Sequence, residues 1–387
     1  MPNRRAFLIT SLVAITAMLS GCGSPQEILD ISLLQGTIPP QLISDFHKSI
    51  TRADKIKLVP RITLQKIFEL LQTWQELEEQ KPKSTIESLP IIGKNNSKQS
   101  NAATLGDFWL QKAIAENLIQ PLDVSSLKNW DSLPKVWHEL VKRDRNGYPS
   151  PQGEIYGAPY RYGNCVIAYR QDKLSWTPTD WSDLWREEVK GRVSLLNNYR
   201  EVIGLTLKKL GYSYNTQNLS QVNNLTSELK QLHQQVKLYS SDKYLQPLVL
   251  GDTWMAIGWS TDIIPLTKRY SNVAIAVPDS GTSLWADMWV KPTVKNNDLN
   301  NSPLTNLLST WIDFCWNTKS AKQILLFTDG LSPIFTAQNT QQTIKDLEKN
   351  RVFKNTLATF DKSEFLLPIP PETTAEYIKL WQQIRAT

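Results

Sequence analysis

The sequence predicts a mixed α/β chain of two domains. Three observations carry that prediction. Apolar runs of strand length alternate with amphipathic stretches of helical period, the pattern of sheets with helical faces. About 365 residues follow a short N-terminal leader, too many for one ordinary core and enough for two. Beyond the leader there is no internal repeat, no long low-complexity tract and no run near the roughly 18 apolar residues of a membrane span.

The leader comes first. Arg4 and Arg5 precede a mostly apolar run, Ala6–Met18, too short to span a bilayer as an ordinary helix. Leu19-Ser20-Gly21-Cys22 follows at once. Small residues before a cysteine resemble a bacterial lipoprotein signal, in which Cys22 receives lipid and becomes the mature N-terminus. Arg4-Arg5 ahead of Phe7-Leu8 also resembles a twin-arginine export signal, without the Ser or Thr expected just before it. A plain N-terminal membrane anchor is the other reading.

The body then reads in order. Ile28–Leu34 is a first strand, and Pro39-Pro40 opens a helix over Gln41–His47 with Leu42, Ile43 and Phe46 on one face. Leu64–Leu77 is a second amphipathic helix. Lys81–Ala103 is polar, apart from Leu89–Gly93, which reads as a strand. Phe108–Asn117 is helical, and Ile119–Asp123 turns out of it. From Ile155 to Arg170 the texture is strand-like and aromatic, with Pro159 interrupting it.

Asp180–Tyr212 organises the second half. Thr179 and Asp180 can cap a short helix over Trp181–Trp185, Gly191 ends it, and Arg192–Leu196 is a short strand. Asn198 stands three residues before Glu201, a capping-box spacing at the start of the next helix. Ile203, Leu207 and Leu210 fall at i, i+4 and i+7, and Gly211 is the natural stop. A polar turn at the carboxyl end of a strand is where open α/β sheets bind ligands, so Asn197–Glu201 is a candidate site. Capping and the helix dipole also explain Glu201 without any ligand. Further on, Leu219–Leu238 reads as one long helix. Trp254–Trp259 and Val273–Val277 are strands bracketing a helix over Thr261–Tyr270. Leu304–Trp316 and Ala375–Arg385 are the last helices.

Composition excludes more than it assigns. The net charge of +6 includes the two leader arginines, and the basic residues are scattered with no stripe among aromatics, which argues against nucleic acid. Cys165 and Cys315 each lie in apolar surroundings and read as unpaired buried thiols rather than a bridge. His47, His138 and His233 are far apart on expected helices. There is no nucleophile elbow, phosphate-binding loop, zinc-protease motif or paired-cysteine site, so neither catalysis, a cofactor nor a metal is expected. Binding signals are better. Trp285-Ala286-Asp287 puts a carboxylate two positions from an indole, on one face of an extended segment. That pairing suits an organic cation, and Trp259 at a strand end could supply a second wall. Equally, Trp285 and Trp289 could be core residues and Asp287 a capping carboxylate.

Tyr156–Gly163 (YGAPYRYG), Asp180–Trp185 (DWSDLW), Glu188–Leu196 (EVKGRVSLL), Asn197–Val202 (NNYREV) and Leu207–Tyr212 (LKKLGY) stand together in an order that resembles the spermidine/putrescine-binding proteins of bacterial ABC importers. Ile114–Asp123 (IAENLIQPLD) resembles the close of that family's first-lobe helix. The resemblance implies a two-lobed type II periplasmic-binding fold with a hinge of two crossings. Lobe one would hold 26–162 plus 285–336, and lobe two 163–284 plus 337–387, after a signal over 1–22. It also implies a polyamine held between the lobes, with Glu201 and Asp287 on its amines and Trp259 and Trp285 as walls. The expected partners are an ABC permease in the inner membrane and the membrane itself through the lipid on Cys22. The protein is expected to be a periplasmic monomer. Several positions depart from the family's pattern. Asn198 stands where an aspartate is usual, and Gln35-Gly36-Thr37 replaces an aromatic patch. Leu331 replaces a tyrosine, and Gly106 and Phe108 stand for a serine and a tyrosine of the first-lobe loop. Each lost charge-assisted hydrogen bond is worth on the order of 1.5–3 kcal/mol, so ligand recognition is weakened or redirected. A sugar or other small solute, or a non-transporting envelope sensor, are the alternative roles.

Overall fold

The computed structural model describes residues 28–50, 55–79, 99–293, 303–337 and 350–386. The leader with Cys22 and the expected strand Leu89–Gly93 lie outside them. No helix among the described residues is long and apolar enough to cross a membrane.

The strands are β1 (Ile28–Leu34), β2 (Lys55–Arg61), β3 (Ala102–Gly106), β4 (Ile119–Gln120), β5 (Lys142–Arg143), β6 (Glu154–Ile155) and β7 (Ala158–Arg170). They continue as β8 (Val193–Leu195), β9 (Val236–Tyr239), β10 (Met255–Trp259), β11 (Val273–Ala276), β12 (Ser283–Pro292) and β13 (Glu364–Phe365). The first six helices are α1 (Pro40–Ser49), α2 (Leu64–Glu79), α3 (Asp107–Ala115), α4 (Lys135–Val141), α5 (Tyr199–Lys209) and α6 (Leu225–Gln235). The others are α7 (Gln246–Leu250), α8 (Ser260–Arg269), α9 (Pro303–Cys315), α10 (Thr318–Thr328), α11 (Arg351–Ala358) and α12 (Pro371–Arg385).

Strand order is β2-β1-β3-β12-β7-β10-β8-β9. β1 pairs parallel with β2 and β3, and β12 runs antiparallel between β3 and β7. The 13-residue β7 belongs to both halves of this path. Its first half, Ala158–Asn164, pairs with β12, and its second, from Cys165, pairs with β10 and β11. Each half carries its own hydrophobic cluster. Phe46, Trp137, Trp289 and Trp311 lie in the first; Trp181, Leu207, Tyr214 and Met255 lie in the second. Phe353 and Phe365 pack in the first cluster, whereas Ile369, Tyr377 and Ile384 pack in the second.

Most elements fall where periodicity puts them, and the exceptions have physical causes. The expected helix Leu219–Leu238 is three pieces: a 3-10 turn over Leu219–Gln221, then α6, then strand β9. Asn224 in the left-handed region (φ 64°) breaks the first join. At the second, Val236–Tyr239 gains a parallel ladder on β8, which suits its β-branched and aromatic residues. α3 stops at Ala115, because Asn117 also turns left-handed (φ 54°). Pro159 does not interrupt β7; the pairing with β12 slips by one residue at Tyr160 instead. Cys165 and Cys315 are both buried and free.

Candidate functional site

Along β12, Ser283, Trp285 and Asp287 alternate and share one face of the strand. β7 lies opposite, with Gly163 across from Trp285 and Arg161 across from Asp287. Glycine is required at 163 by close approach, since a Cβ there would stand 2.5 Å from the Trp285 ring and 2.7 Å from the Ser260 hydroxyl. The Trp285 indole therefore lies against bare backbone.

Asp287 is buried and paired. Arg161 Nε donates to its Oδ2 at 2.7 Å, and Nη2 stands 2.7 Å from the same oxygen. The guanidinium also lies over the Trp285 ring, 5.4 Å from its centroid. Burial pulls the Arg161 guanidinium down, but the charge and hydrogen bonding of Asp287, with those of Tyr160, together outweigh it and hold the group charged. Two more carboxylates attend this pair. Asp107 opens α3 and accepts from the Ala286 N–H at 3.1 Å. Burial, with the charge on Asp287 adding to it, pushes Asp107 up to about 7. Asp262, in the first turn of α8, accepts from the Tyr244 hydroxyl at 3.0 Å. Burial raises its pKa against the lowering pull of Tyr244 and Arg161.

Glu201 stands at the other end of the face. Asn198 caps α5 as its spacing predicts, its Oδ1 accepting from the backbone N–H groups of Arg200 and Glu201. The reciprocal half of the capping box does not form. The Glu201 carboxylate turns inward instead and accepts from Ser283 Oγ at 2.6 Å. Burial pushes it up to about 7, against the lowering influence of Ser283 and Arg200.

The expected site residues thus separate into groups. Asp287 and Trp285 are together, and Ser283 links Glu201 to the same strand face. Trp259 is half-buried and meets Tyr244 edge-on at 6.2 Å, joining the group through Asp262. Asn198 spends its side-chain oxygen on capping. Phe108 is 62% exposed and packs edge-on against Trp109 at 5.4 Å. Leu331 is buried, its backbone exchanging hydrogen bonds with Tyr162 at 2.7 and 2.8 Å. Arg161, Asp107 and Asp262 went unread in the sequence. Arg161 did leave a signal, as the lone charged residue between Tyr156 and Tyr169.

A consequence for stability follows from Glu201. Its ordinary value is 4.5 and the folded value about 7, so between them the folded chain holds a proton that the unfolded chain has lost. Stability falls as pH rises through that window and stays lowered above it. The drop is roughly 3 kcal/mol. Glu201→Gln, uncharged throughout, should flatten the profile by about that amount when denaturation midpoints are measured from about pH 4 to 8. An unchanged slope would place the carboxylate in contact with water.

A model of the bacterial extracellular solute-binding protein family matches residues 102–356. The spermidine/putrescine-binding periplasmic protein of Escherichia coli K12 is 28% identical over 202 residues, 52% of this chain and 56% of that protein. The putrescine/cadaverine-binding protein of Pseudomonas aeruginosa is 27% identical over 226 residues, 52% of this chain and 64% of that protein. The chain therefore spans little more than half the length of the first of these curated relatives. Among solved structures, a spermidine/putrescine ABC transporter substrate-binding protein from Streptococcus pneumoniae superposes with a TM-score of 0.74 at 19% identity, covering 93% of this chain and 99% of that one. A maltose-binding periplasmic protein from Listeria monocytogenes gives 0.62 at 14% identity, covering 92% and 91%. One fold thus carries ligands as different as an amine and a sugar.

Proposed function

We propose that this chain, which belongs to the bacterial extracellular solute-binding protein family, is the substrate-binding component of an ABC importer for polyamines or related small organic cations. It has the type II periplasmic-binding fold shared with its structural neighbours. The observation that carries the ligand class is the face of β12. There a carboxylate held by Ser283, an indole on bare backbone and a second carboxylate follow one another at alternate residues. At about 3.3 Å per residue, Ser283 and Asp287 are about 13 Å apart, the reach of a long polyamine, and Trp285 and Asp287 about 7 Å apart, the reach of a four-carbon diamine. Asp262 faces Arg161 and Asp107 faces Asp287, so acidic groups gather at this end of the face. Acids select for cations over anions here, and the indole face adds to that.

In this reading the lobes form around the two hydrophobic clusters, and ligand closes them on one another before the pair is presented to a permease. The packing of Phe353 and Phe365 supports drawing the last passage into lobe two between Phe365 and Ile369, later than 336. The chain is a monomer, does not catalyse, and is tethered in the bacterial envelope through lipid on Cys22. A second reading, a fold relative serving as an envelope sensor, is favoured by one observation: Arg161 already sits on Asp287.

Trp285→Ala tests the proposal while leaving both charges of the Arg161–Asp287 pair in place, though it removes the ring beneath the guanidinium. It should weaken putrescine and spermidine about tenfold or more by calorimetry, because a desolvated cation–π contact contributes about 2 kcal/mol. Amine binding untouched by this substitution would remove β12 from the site.

A further inference from the structure

We propose that Arg161 is a tethered cation standing where a ligand ammonium would sit at Asp287, so that the site reads one positive charge fewer than its carboxylates would allow. The inference rests on the cation-binding reading above and deepens it.

The side chain shows what its surroundings accept. Its guanidinium contacts one carboxylate oxygen twice and covers one indole face. Those are the contacts an incoming ammonium would seek: charge pairing for the N–H donors and a π-face for the positive charge. The placement is built into the backbone. Arg161 and Asp287 are cross-strand partners, and the slip at Tyr160 sets consecutive β7 residues to different work, with Tyr160 stacked on Trp289 and Arg161 on Asp287. Arg161 is itself buried, 7% exposed, so it is no surface arginine that could swing aside. Asp262 lies within electrostatic reach of the guanidinium, and Asp107 stands beside its partner Asp287. Emptied of the guanidinium, this place would suit a cation. Filled, it leaves the second ammonium of a diamine without a carboxylate at this end.

n-Butylamine and putrescine, which share a carbon count and differ by one ammonium, test this by calorimetry on the full-length chain, on Arg161→Met and on Arg161→Lys. The wild type should bind the two amines within about threefold of each other. Arg161→Met should prefer putrescine by at least about tenfold, the worth of one charge-assisted contact. Arg161→Lys keeps the charge and should behave as the wild type. A wild type that already prefers putrescine tenfold, or an Arg161→Met with the wild-type ratio, overturns the inference while the cation reading stands. Absence of binding by both amines to every protein overturns both. Should Arg161→Met be poorly folded alone, its melting temperature carries the same test. Putrescine should raise it more than butylamine does, and equal shifts count against the proposal.

Discussion

Asp287→Ala should lower folding stability by about 3–5 kcal/mol, the cost of breaking a buried ion pair from one side. The substitution leaves the Arg161 guanidinium, 7% exposed, without the carboxylate that holds it. A carboxylate reserved for ligand would behave differently. Solvated in the free protein, it could be removed at little cost to the fold. The loss should therefore be large and should largely disappear in the Arg161→Met/Asp287→Ala double variant, which removes both charges together. Urea denaturation reads both, as a shift of midpoint at unchanged slope. A loss under about 1 kcal/mol would mean that the pair is not closed in solution.

Trp289→Ala should cost a similar amount, about 3–5 kcal/mol, for a different reason. Trp289 is fully buried, stacked on Tyr160 at 4.3 Å and meeting Trp311 at 5.7 Å across a 67° angle. Its removal opens a cavity that these rings cannot collapse to fill. Trp289 stands two residues beyond Asp287 on a strand paired on both sides, against Thr104 and Ala158. The register that aligns Asp287 with Arg161 therefore depends on the same packing. Amine binding should weaken together with stability, whereas Trp285→Ala, which loses a ring that is only partly buried, should weaken binding with a smaller shift of the denaturation midpoint. Equal stability losses for the two tryptophans would contradict this division between core and wall.

What the sequence discloses about this molecule follows the range of each interaction. Apolar periodicity and capping are local, so Ile28–Leu34, Asn198 at the start of α5 and Gly211 after it could be read directly. Val236–Tyr239 could not be separated from the helix before it, because its strand identity comes from a partner about forty residues away on β8. Glu201 was legible as a capping residue, yet its side chain answers to Ser283, 82 positions on. Arg161 and Asp287 lie 126 positions apart and meet through strand register, which no local pattern encodes. The tryptophan and acid at Trp285 and Asp287 were legible as a pair because both stand on one strand. That the acid already has a partner was not.

The most direct measurement is a calorimetric titration of the full-length chain with putrescine, spermidine and spermine at neutral pH, with tryptophan emission followed in parallel. Polyamine binding on the β12 face predicts saturable one-to-one binding of at least one of them, with an emission change that Trp285→Ala diminishes. No heat and no spectral change with any of the three would contradict it.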